Sequence, residues 1–494
     1  MSSPVPTLGD IPEDEFRQAA HQAVDWIIDY FQNPDRYPVL AQVQPGELKA
    51  LLPREGPDQP ESMEQIMRDF KSLILPGITH WNHPGFFAYF GITGSMPGIL
   101  GELLTAALNV NAMLWRTSPA ATELEEVVLD WLRQWMGLPE SFSGIIYDTA
   151  SISSLAGIAA AREAALPTVR EKGFSGKELL IPLCLYASEH AHSSIDKAAI
   201  ILGLGLDSIR KIGVDSEFRL KPKELEASIQ KDLSAGRMPF CVVATAGTTS
   251  TTSVDPIAEM AAICRRYDLW LHVDGAYGGN AAILPECRHL FQGCEQADSM
   301  VVNPHKWLFT PIDCSVFFCR QMDILRRTFS LVPEYLRTPE DGRVRNYMDY
   351  GPQLGRRFRA LKLWMVLRSF GRQGLERRLR EHMRLAQLFA SWIQADPEFE
   401  LCAPVPFSTV CFRACPHNSC PALHPSIDQF NLQLMEAVNA NGQVFLSHTR
   451  LQERLVLRLA IGNIRSDESY IRRAWDLLQS TSKSLELPPL PAGT

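Results

Sequence analysis

At 494 residues the chain is too long for one compact core, so two or three folding units are expected. Hydrophobic residues at 46% and charged residues at 21% are the balance of an ordinary globular protein, not of a disordered chain. A net charge of −8 without any basic block argues against a nucleic-acid or anionic-membrane partner.

The opening Met1-Ser-Ser-Pro-Val-Pro has neither a basic start nor an apolar core, so no secretory signal is expected. No uncharged apolar run reaches the roughly 18 residues that a membrane span needs. The 11 cysteines are scattered and odd in number, mostly within apolar runs, a pattern that fits reduced thiols in a cytosol. Phe16, Ala20, Val24, Ile27, Ile28 and Phe31 form a helical stripe over residues 13–31. Residues 34–60 are proline-rich and extended, so this arm suits packing on a partner subunit. Residues 64–75 read as a second amphipathic helix. From about 96 to 370, strand-like runs at 183–187, 240–244, 269–273, 300–302 and 315–319 alternate with helices, predicting a mostly parallel sheet covered by helices. A long charged-apolar helix from Arg372 leads into a smaller α+β region. Its strands are predicted at 410–413 and 455–461, and its closing helix at 468–478.

The chemistry concentrates in Asp298-Ser-Met-Val-Val-Asn-Pro-His-Lys306-Trp307. A short apolar strand breaks at Asn303-Pro304, and a His-Lys pair follows among Trp307, Leu308 and Phe309. A lysine so placed loses much of its preference for charge and can attack a carbonyl to form a Schiff base. Alone, it could equally be a lysine that snorkels to solvent. Leu269-Trp-Leu-His-Val-Asp274-Gly-Ala276 is a second buried strand that ends on a carboxylate and opens into small residues. Pyridoxal phosphate requires a lysine for its aldehyde, an acid for its ring nitrogen and a phosphate cradle. Asp274 precedes Lys306 by about one strand–helix–strand step, so both could stand on one rim of a sheet. Asp148-Thr-Ala150-Ser151-Ile-Ser-Ser154 opens an alanine-rich helix whose free N–H groups suit a phosphate, although a plain serine cap reads the same way. A nucleotide P-loop is absent.

Other stretches are more ambiguous. His190 and His192 could form a metal pair, but no third ligand stands at useful spacing. Thr245-Ala-Gly247-Thr-Thr249-Ser-Thr-Thr reads as a turn. Residues 331–347 are polar and aperiodic, as expected of a mobile lid loop. Cys415, His417, Cys420 and His424 suggest a zinc cluster, yet the spacing is irregular and prolines interrupt it, so a loop with free thiols is the expectation and no metal is assigned.

Asn303-Pro-His-Lys306-Trp, His272-Val-Asp274-Gly-Ala276-Tyr, Ala191-His192-Ser-Ser, Ser118-Pro-Ala-Ala-Thr-Glu-Leu-Glu125, Gly355-Arg-Arg-Phe-Arg and His80–Phe90 together resemble the group II pyridoxal-phosphate decarboxylases, and within them the aromatic-L-amino-acid decarboxylases. In order and spacing the resemblance runs from about residue 10 to about residue 480. It implies the aspartate-aminotransferase (fold type I) α/β fold with a mostly parallel seven-stranded sheet. The implied divisions are an N-terminal arm (1–95) exchanged in a homodimer, a large cofactor-binding domain (96–370) and a small α+β domain (371–494). It implies decarboxylation of tryptophan, phenylalanine, tyrosine or dopa in the cytoplasm, without membrane or nucleic acid. Lys306 would carry pyridoxal 5'-phosphate, Asp274 would hold the ring nitrogen and His192 would stack on the ring. Ala150, Ser151 and Ser299 would hold the phosphate with Asn303 and His305. Ala276 would also touch the cofactor, and Thr249 would lie beside its phenolic oxygen and the substrate carboxylate. Tyr335 matches the catalytic-loop tyrosine that reprotonates Cα; relatives with phenylalanine there make aldehydes. Trp81, Phe90, Ile92, Met113 and Gly355 would line the substrate pocket. His190 departs from the family's neutral polar residue and stays unassigned. The alternatives are an aldehyde synthase, a decarboxylase of another amino acid such as glutamate, and a silent scaffold, which the intact lysine, aspartate and histidine oppose.

Overall fold

The computed structural model describes residues 9–174, 182–332, 334–416 and 425–486. Among these residues eleven strands run in chain order as β1 (Ser143–Tyr147), β2 (Leu183–Ser188), β3 (Ile209–Ile212), β4 (Met238–Thr245), β5 (Trp270–Asp274), β6 (Ser299–Val302), β7 (Ser315–Cys319), β8 (Phe399–Leu401), β9 (Thr409–Ala414), β10 (Ser447–Leu451) and β11 (Arg454–Ala460). The larger sheet has seven strands in the order β1-β7-β6-β5-β4-β2-β3. Strands β2 to β6 pair in parallel, and β7 runs antiparallel to both β6 and β1. This is the mostly parallel α/β sheet expected from the alternation of strands and helices. The smaller sheet is antiparallel, in the order β10-β11-β9-β8.

Strands β2, β5, β6 and β7 are buried at every position, because helices cover both faces of the large sheet. The helix Ala150–Ala165 lies directly against one face. A Cβ at Gly157 would meet Nδ1 of His272 on β5 at 2.9 Å, so this close approach requires glycine. Register decides which residues share a rim. Thr245 on β4 stands opposite Asp274 on β5, and Asp274 stands opposite Val301 on β6. The chain leaving each strand end therefore enters the same cleft, outside the carboxyl ends of parallel strands.

The long helix expected from Arg372 starts earlier, at Arg359, and runs to Ala395. It is broken at Gly371, whose φ of 62 lies in the left-handed region. The second amphipathic helix is a short α-helix, Met63–Asp69, that passes into a π-turn and a 3₁₀ turn. The arm helix Glu13–Gln32 leaves Phe16, Val24 and Ile28 exposed. Nine cysteines among the described residues are unpaired, as expected. Cys415 differs: it is disulfide-bonded, against the free thiol expected of it. His417, Cys420 and His424 lie outside the described residues, and among the described residues no His/Cys/Asp/Glu group could hold a metal. Within the same residues, no helix is long and apolar enough to cross a membrane.

Candidate active site

The rim of β4, β5 and β6 encloses a cavity of about 220 Å³, and fourteen residues line it. They include Lys306, Asp274, His192, Ala150, Ser151, Thr249, Ala276, Asn303, His305 and Phe90. Ten residues singled out from the sequence thus converge on one place, although they come from six separate stretches of chain.

Lys306 gets there by a sharp turn. After β6, Asn303 keeps an extended backbone and Pro304 starts the single helical turn Pro304–Trp307. Proline suits that first helical position, where no N–H partner is needed. Trp307, fully buried, anchors the turn by donating from Nε1 to Nδ1 of His382 at 3.0 Å. Its ring stacks on Tyr277 at 4.7 Å, and Tyr277 stacks on Phe90 at 3.9 Å. The Lys306 ammonium nitrogen stands 5.3 Å from the centre of the Phe90 ring. Burial lowers its pKa; Asp274 opposes that shift and the Arg458 guanidinium adds to it. The amine is thereby brought toward the neutral, nucleophilic form.

Asp274 ends β5 and accepts the backbone N–H of Ala276 at 3.1 Å on one carboxylate oxygen. Its small neighbour Ala276 lines the cavity, while a Cβ at Gly275 would meet Met300 and the Val301 carbonyl at 3.0 Å. His192 follows β2 at the cavity mouth, where Nδ1 meets the N–H of Ser194 at 3.1 Å and the Ser194 hydroxyl at 2.9 Å. Desolvation on its packed side lowers its pKa, which favours a neutral ring.

Another part of the lining has the donors of an anion cradle. The helix Ala150–Ala165 begins there with Thr149 as its cap residue, and that side chain makes no capping bond. The N–H groups of Ala150 and Ser151 point out of the first turn, with the helix dipole behind them. His305 accepts the Cys314 N–H on Nδ1 at 2.8 Å, so its other nitrogen is the donor. Burial holds its pKa down at about 3. Asn303 Oδ1 and Thr245 Oγ1 are buried here without a hydrogen-bond partner among the described residues. Orphaned polar atoms beside free helix N–H groups mark a site shaped for a polar ligand. A phosphate at the helix start, a ring over Ala276 and an aldehyde at Lys306 fit this donor set.

Across residues 45–415 the sequence matches the pyridoxal-dependent decarboxylase conserved domain. The chain belongs to the pyridoxal-dependent decarboxylases. Tryptophan decarboxylase 2 of Oryza sativa subsp. japonica is 40% identical over 482 residues, 96% of this chain and 95% of that protein. Phenylacetaldehyde synthase of Arabidopsis thaliana is also 40% identical, over 97% of this chain and 98% of the relative. Among solved structures, Oryza sativa TDC with PLP and tryptamine superimposes with a TM-score of 0.92 at 37% identity, covering 97% of this chain and 99% of that one. Pyridoxal phosphate is the cofactor of the family, and the cavity has a place for each of its parts.

Some residues of this decarboxylase fall elsewhere than the resemblance implied. Ser299 does not line the cavity: it starts β6, and its hydroxyl is engaged by Trp270 Nε1 and His272 Nδ1, each at 2.9 Å. Of the five pocket candidates only Phe90 lines the cavity within this chain. Trp81 stacks on Phe86 at 4.3 Å and is 36% exposed. Ile92 is half-buried, and Met113 packs beside Leu114, Leu336 and Met348. Gly355 is exposed beside Asn111. Leu336 closes the 3₁₀ turn Glu334–Leu336; the side chain of Tyr335 lies outside the described part. His190 makes an edge contact with Phe218 at 5.7 Å and stays out of the cavity.

Thr149 and Tyr277 line the cavity without having been singled out from the sequence, and three further residues escaped the sequence reading. Thr245 and Gly247 line the cavity from a run read only as a turn. Arg458, on β11, is 3% exposed and holds its guanidinium 4.9 Å from the Phe90 ring centre, with Nη2 unpartnered. Its signal was an arginine inside the otherwise apolar run 455–461.

Proposed function

We propose that this chain decarboxylates aromatic L-amino acids, tryptophan and phenylalanine among them, to the corresponding arylethylamines and carbon dioxide. The observation that carries the reading is the meeting of a desolvated Lys306 amine, the Asp274 carboxylate and an anion cradle in one cavity. Relatives named as tryptophan, tyrosine and aromatic-L-amino-acid decarboxylases, at 38–41% identity, support the substrate class.

Bound pyridoxal phosphate supplies an aldehyde for an amine and a sink for the electron pair that the departing carboxylate leaves on Cα. Lys306 provides the amine that holds it until substrate arrives. Asp274 keeps a proton on the ring nitrogen, which makes the sink effective. The N–H groups of Ala150 and Ser151, with Asn303 and the Nε2–H of His305, bind the phosphate. His192 stacks over the ring and Thr249 borders the substrate carboxylate. Arg458, buried beside Lys306 with one unpartnered nitrogen, adds positive charge to that side of the site. Tyr335 returns a proton to Cα. A tyrosine here favours amine over aldehyde, the product that the relatives named phenylacetaldehyde synthase suggest as the second reading.

The working unit is a homodimer in the cytoplasm. Met96, Leu100, Leu103, Leu104 and Leu108 are exposed along the helix Met96–Leu108, as are Phe16, Val24 and Ile28 of the arm, and a partner copy would cover them. In that assembly Met113, Gly355 and the Tyr335 loop complete the substrate pocket at the interface. The three-part division into arm (1–95), large domain (96–370) and small domain (371–494) belongs to the same proposal, and the break at Gly371 supports its last boundary.

The deciding experiment incubates the holoenzyme with a panel of amino acids and analyses products. Arylethylamine from tryptophan or phenylalanine is expected; aldehyde with peroxide favours the second reading. No product from any aromatic amino acid overturns both.

A further inference from the structure

Two motifs distant in sequence, Ser118–Glu125 and Gly355–Arg359, interlock in the interior. Glu125 is 1% exposed and Arg356 8%. Nη2 of Arg356 donates to Oε1 of Glu125 at 2.7 Å and to the Ile146 carbonyl at 2.9 Å, while Nη1 donates to the Ala112 carbonyl at 3.2 Å. The same Glu125 oxygen accepts the Ile146 N–H at 2.9 Å. The Arg356 backbone N–H donates to Oδ1 of Asn111 at 2.9 Å, and its carbonyl accepts the Ala112 N–H at 2.8 Å. Tyr347 presents its ring to the guanidinium at 4.5 Å.

The arginine therefore grips segment 111–112 with both its backbone and its fork, and ties that segment to β1. Strand β1 runs straight on into Asp148–Ser151, the start of the anion cradle. Gly355 precedes Arg356, and Met113 follows the gripped segment. Asn111 Nδ2 lies 3.8 Å from where a Cβ of Gly355 would stand. A buried ion pair costs several kcal/mol of desolvation per ion, and apolar residues would hold two segments together as well. What a charged fork adds is direction, since its donors fix angle as well as distance.

We propose that Arg356 and Glu125 are positioning residues that set the ring-facing surface of Met113 and Gly355 relative to the anion cradle, and so set which aromatic ring the site accepts. The proposal rests on the functional reading above. A substrate held at its amine by a cofactor whose phosphate sits in the cradle would be discriminated at its ring by a wall whose placement must hold to a fraction of an ångström.

The test uses holoenzyme carrying Asn111→Ala, Glu125→Gln or Arg356→Lys, measured for KM and kcat with tryptophan, tyrosine and phenylalanine. Cofactor absorbance and the unfolding midpoint are recorded for each. Asn111 is exposed, so its substitution removes one tie to Arg356 together with the Nδ2 contact to the Met113 sulfur at 3.4 Å, and leaves the buried pair intact. It is expected to keep cofactor absorbance and midpoint while changing the tryptophan-to-phenylalanine ratio of kcat/KM by about threefold. Glu125→Gln and Arg356→Lys are expected to move the same ratio in the same direction by roughly tenfold, mainly through KM. Unchanged ratios in Glu125→Gln or Arg356→Lys at intact absorbance and midpoint overturn the proposal, and so do unchanged ratios in Asn111→Ala where the buried variants fail to fold. A wild type that binds cofactor but turns over none of the three amino acids overturns the functional reading and this proposal together, a result distinct from constant ratios in an active enzyme.

Discussion

Nδ1 of His305 accepts the backbone N–H of Cys314 at 2.8 Å, and that single bond fixes where the imidazole keeps its proton. The residue beside Lys306 is thereby a neutral donor on Nε2, suited to an anion without adding a full charge next to that amine. Three other buried histidines share its neutrality. His272 bonds Ser299 and Ser154, His382 accepts from Trp307, and His83 accepts the Gly85 N–H.

These four histidines predict acid sensitivity. Burial depresses them from about 6.5, to about 3 for His305 and about 4 for His272, His382 and His83. A depressed histidine is neutral when folded and charged when unfolded, so between the two pKa values the unfolded chain binds more protons. Stability is therefore fully present above about 6.5 and falls as pH drops toward 4, by roughly 1 kcal/mol per histidine per pH unit. The unfolding midpoint, followed calorimetrically from pH 7.5 to 4.5, should decline steeply below 6.5. A midpoint flat to pH 5 would mean that these rings are not neutral and buried.

Lys306→Ala should lower turnover by more than roughly 10³-fold and remove the visible absorbance of the lysine-bound cofactor. Folding should survive, because the amine is desolvated and makes no hydrogen bond that stabilises its neighbours. Circular dichroism and gel filtration check the fold. Near-normal decarboxylation would remove Lys306 from its role.

Tyr335→Phe should weaken amine formation by roughly 10²–10⁴-fold, the usual worth of a general acid, and divert flux to aldehyde. Chromatography of products with a peroxide assay measures the split. Unchanged amine with no aldehyde or peroxide would show that the proton comes from elsewhere.

The inner strands of the large sheet were legible because burial on both faces makes their sequences continuously apolar. The run 315–319 coincides with β7, and 269–273 misses β5 by one residue at each end. Strands β1, β3, β8 and β10 were not legible: Ile209-Arg-Lys-Ile and Ser447-His-Thr-Arg-Leu carry the polar residues of sheet edges, and Phe399–Leu401 is three residues long. Glycine hid β1, since Gly144 interrupts the run where Leu129 packs against the strand. At the site, residues that follow strand ends were readable, because a polar residue closing an apolar run is conspicuous. Arg458 was not, because its neighbours in the cavity are far away in sequence. Ser299 illustrates the converse: as the first residue of β6 it lies at the end of the strand opposite Asn303, too far along to face the cradle.

Gly355→Ser should reduce tryptophan turnover more than tyrosine turnover. Gly355 is proposed to lie under the substrate ring, where the absence of a side chain leaves room for a bicyclic indole. Within the chain a Cβ at 355 meets only Asn111 Nδ2 at 3.8 Å, an ordinary van der Waals distance, and its backbone is not in the left-handed region. The unfolding midpoint should therefore move by less than about 2 °C, the small effect of a surface substitution. Any kinetic change then arises from the substrate side. Ile92 acts in the same direction, since an aliphatic side chain cannot pair a ring hydroxyl, and a site that buries that hydroxyl unpaired disfavours it. Wild-type enzyme should accordingly use tryptophan or phenylalanine at least as well as dopa, and histidine and glutamate poorly. The added hydroxymethyl group should cost the indole roughly 1–3 kcal/mol of transition-state binding, a 10- to 200-fold fall in kcat/KM, and the smaller phenol less. Steady-state kinetics on the two substrates decide it: equal losses for both, or a strong wild-type preference for dopa, would take Gly355 and Ile92 out of the pocket.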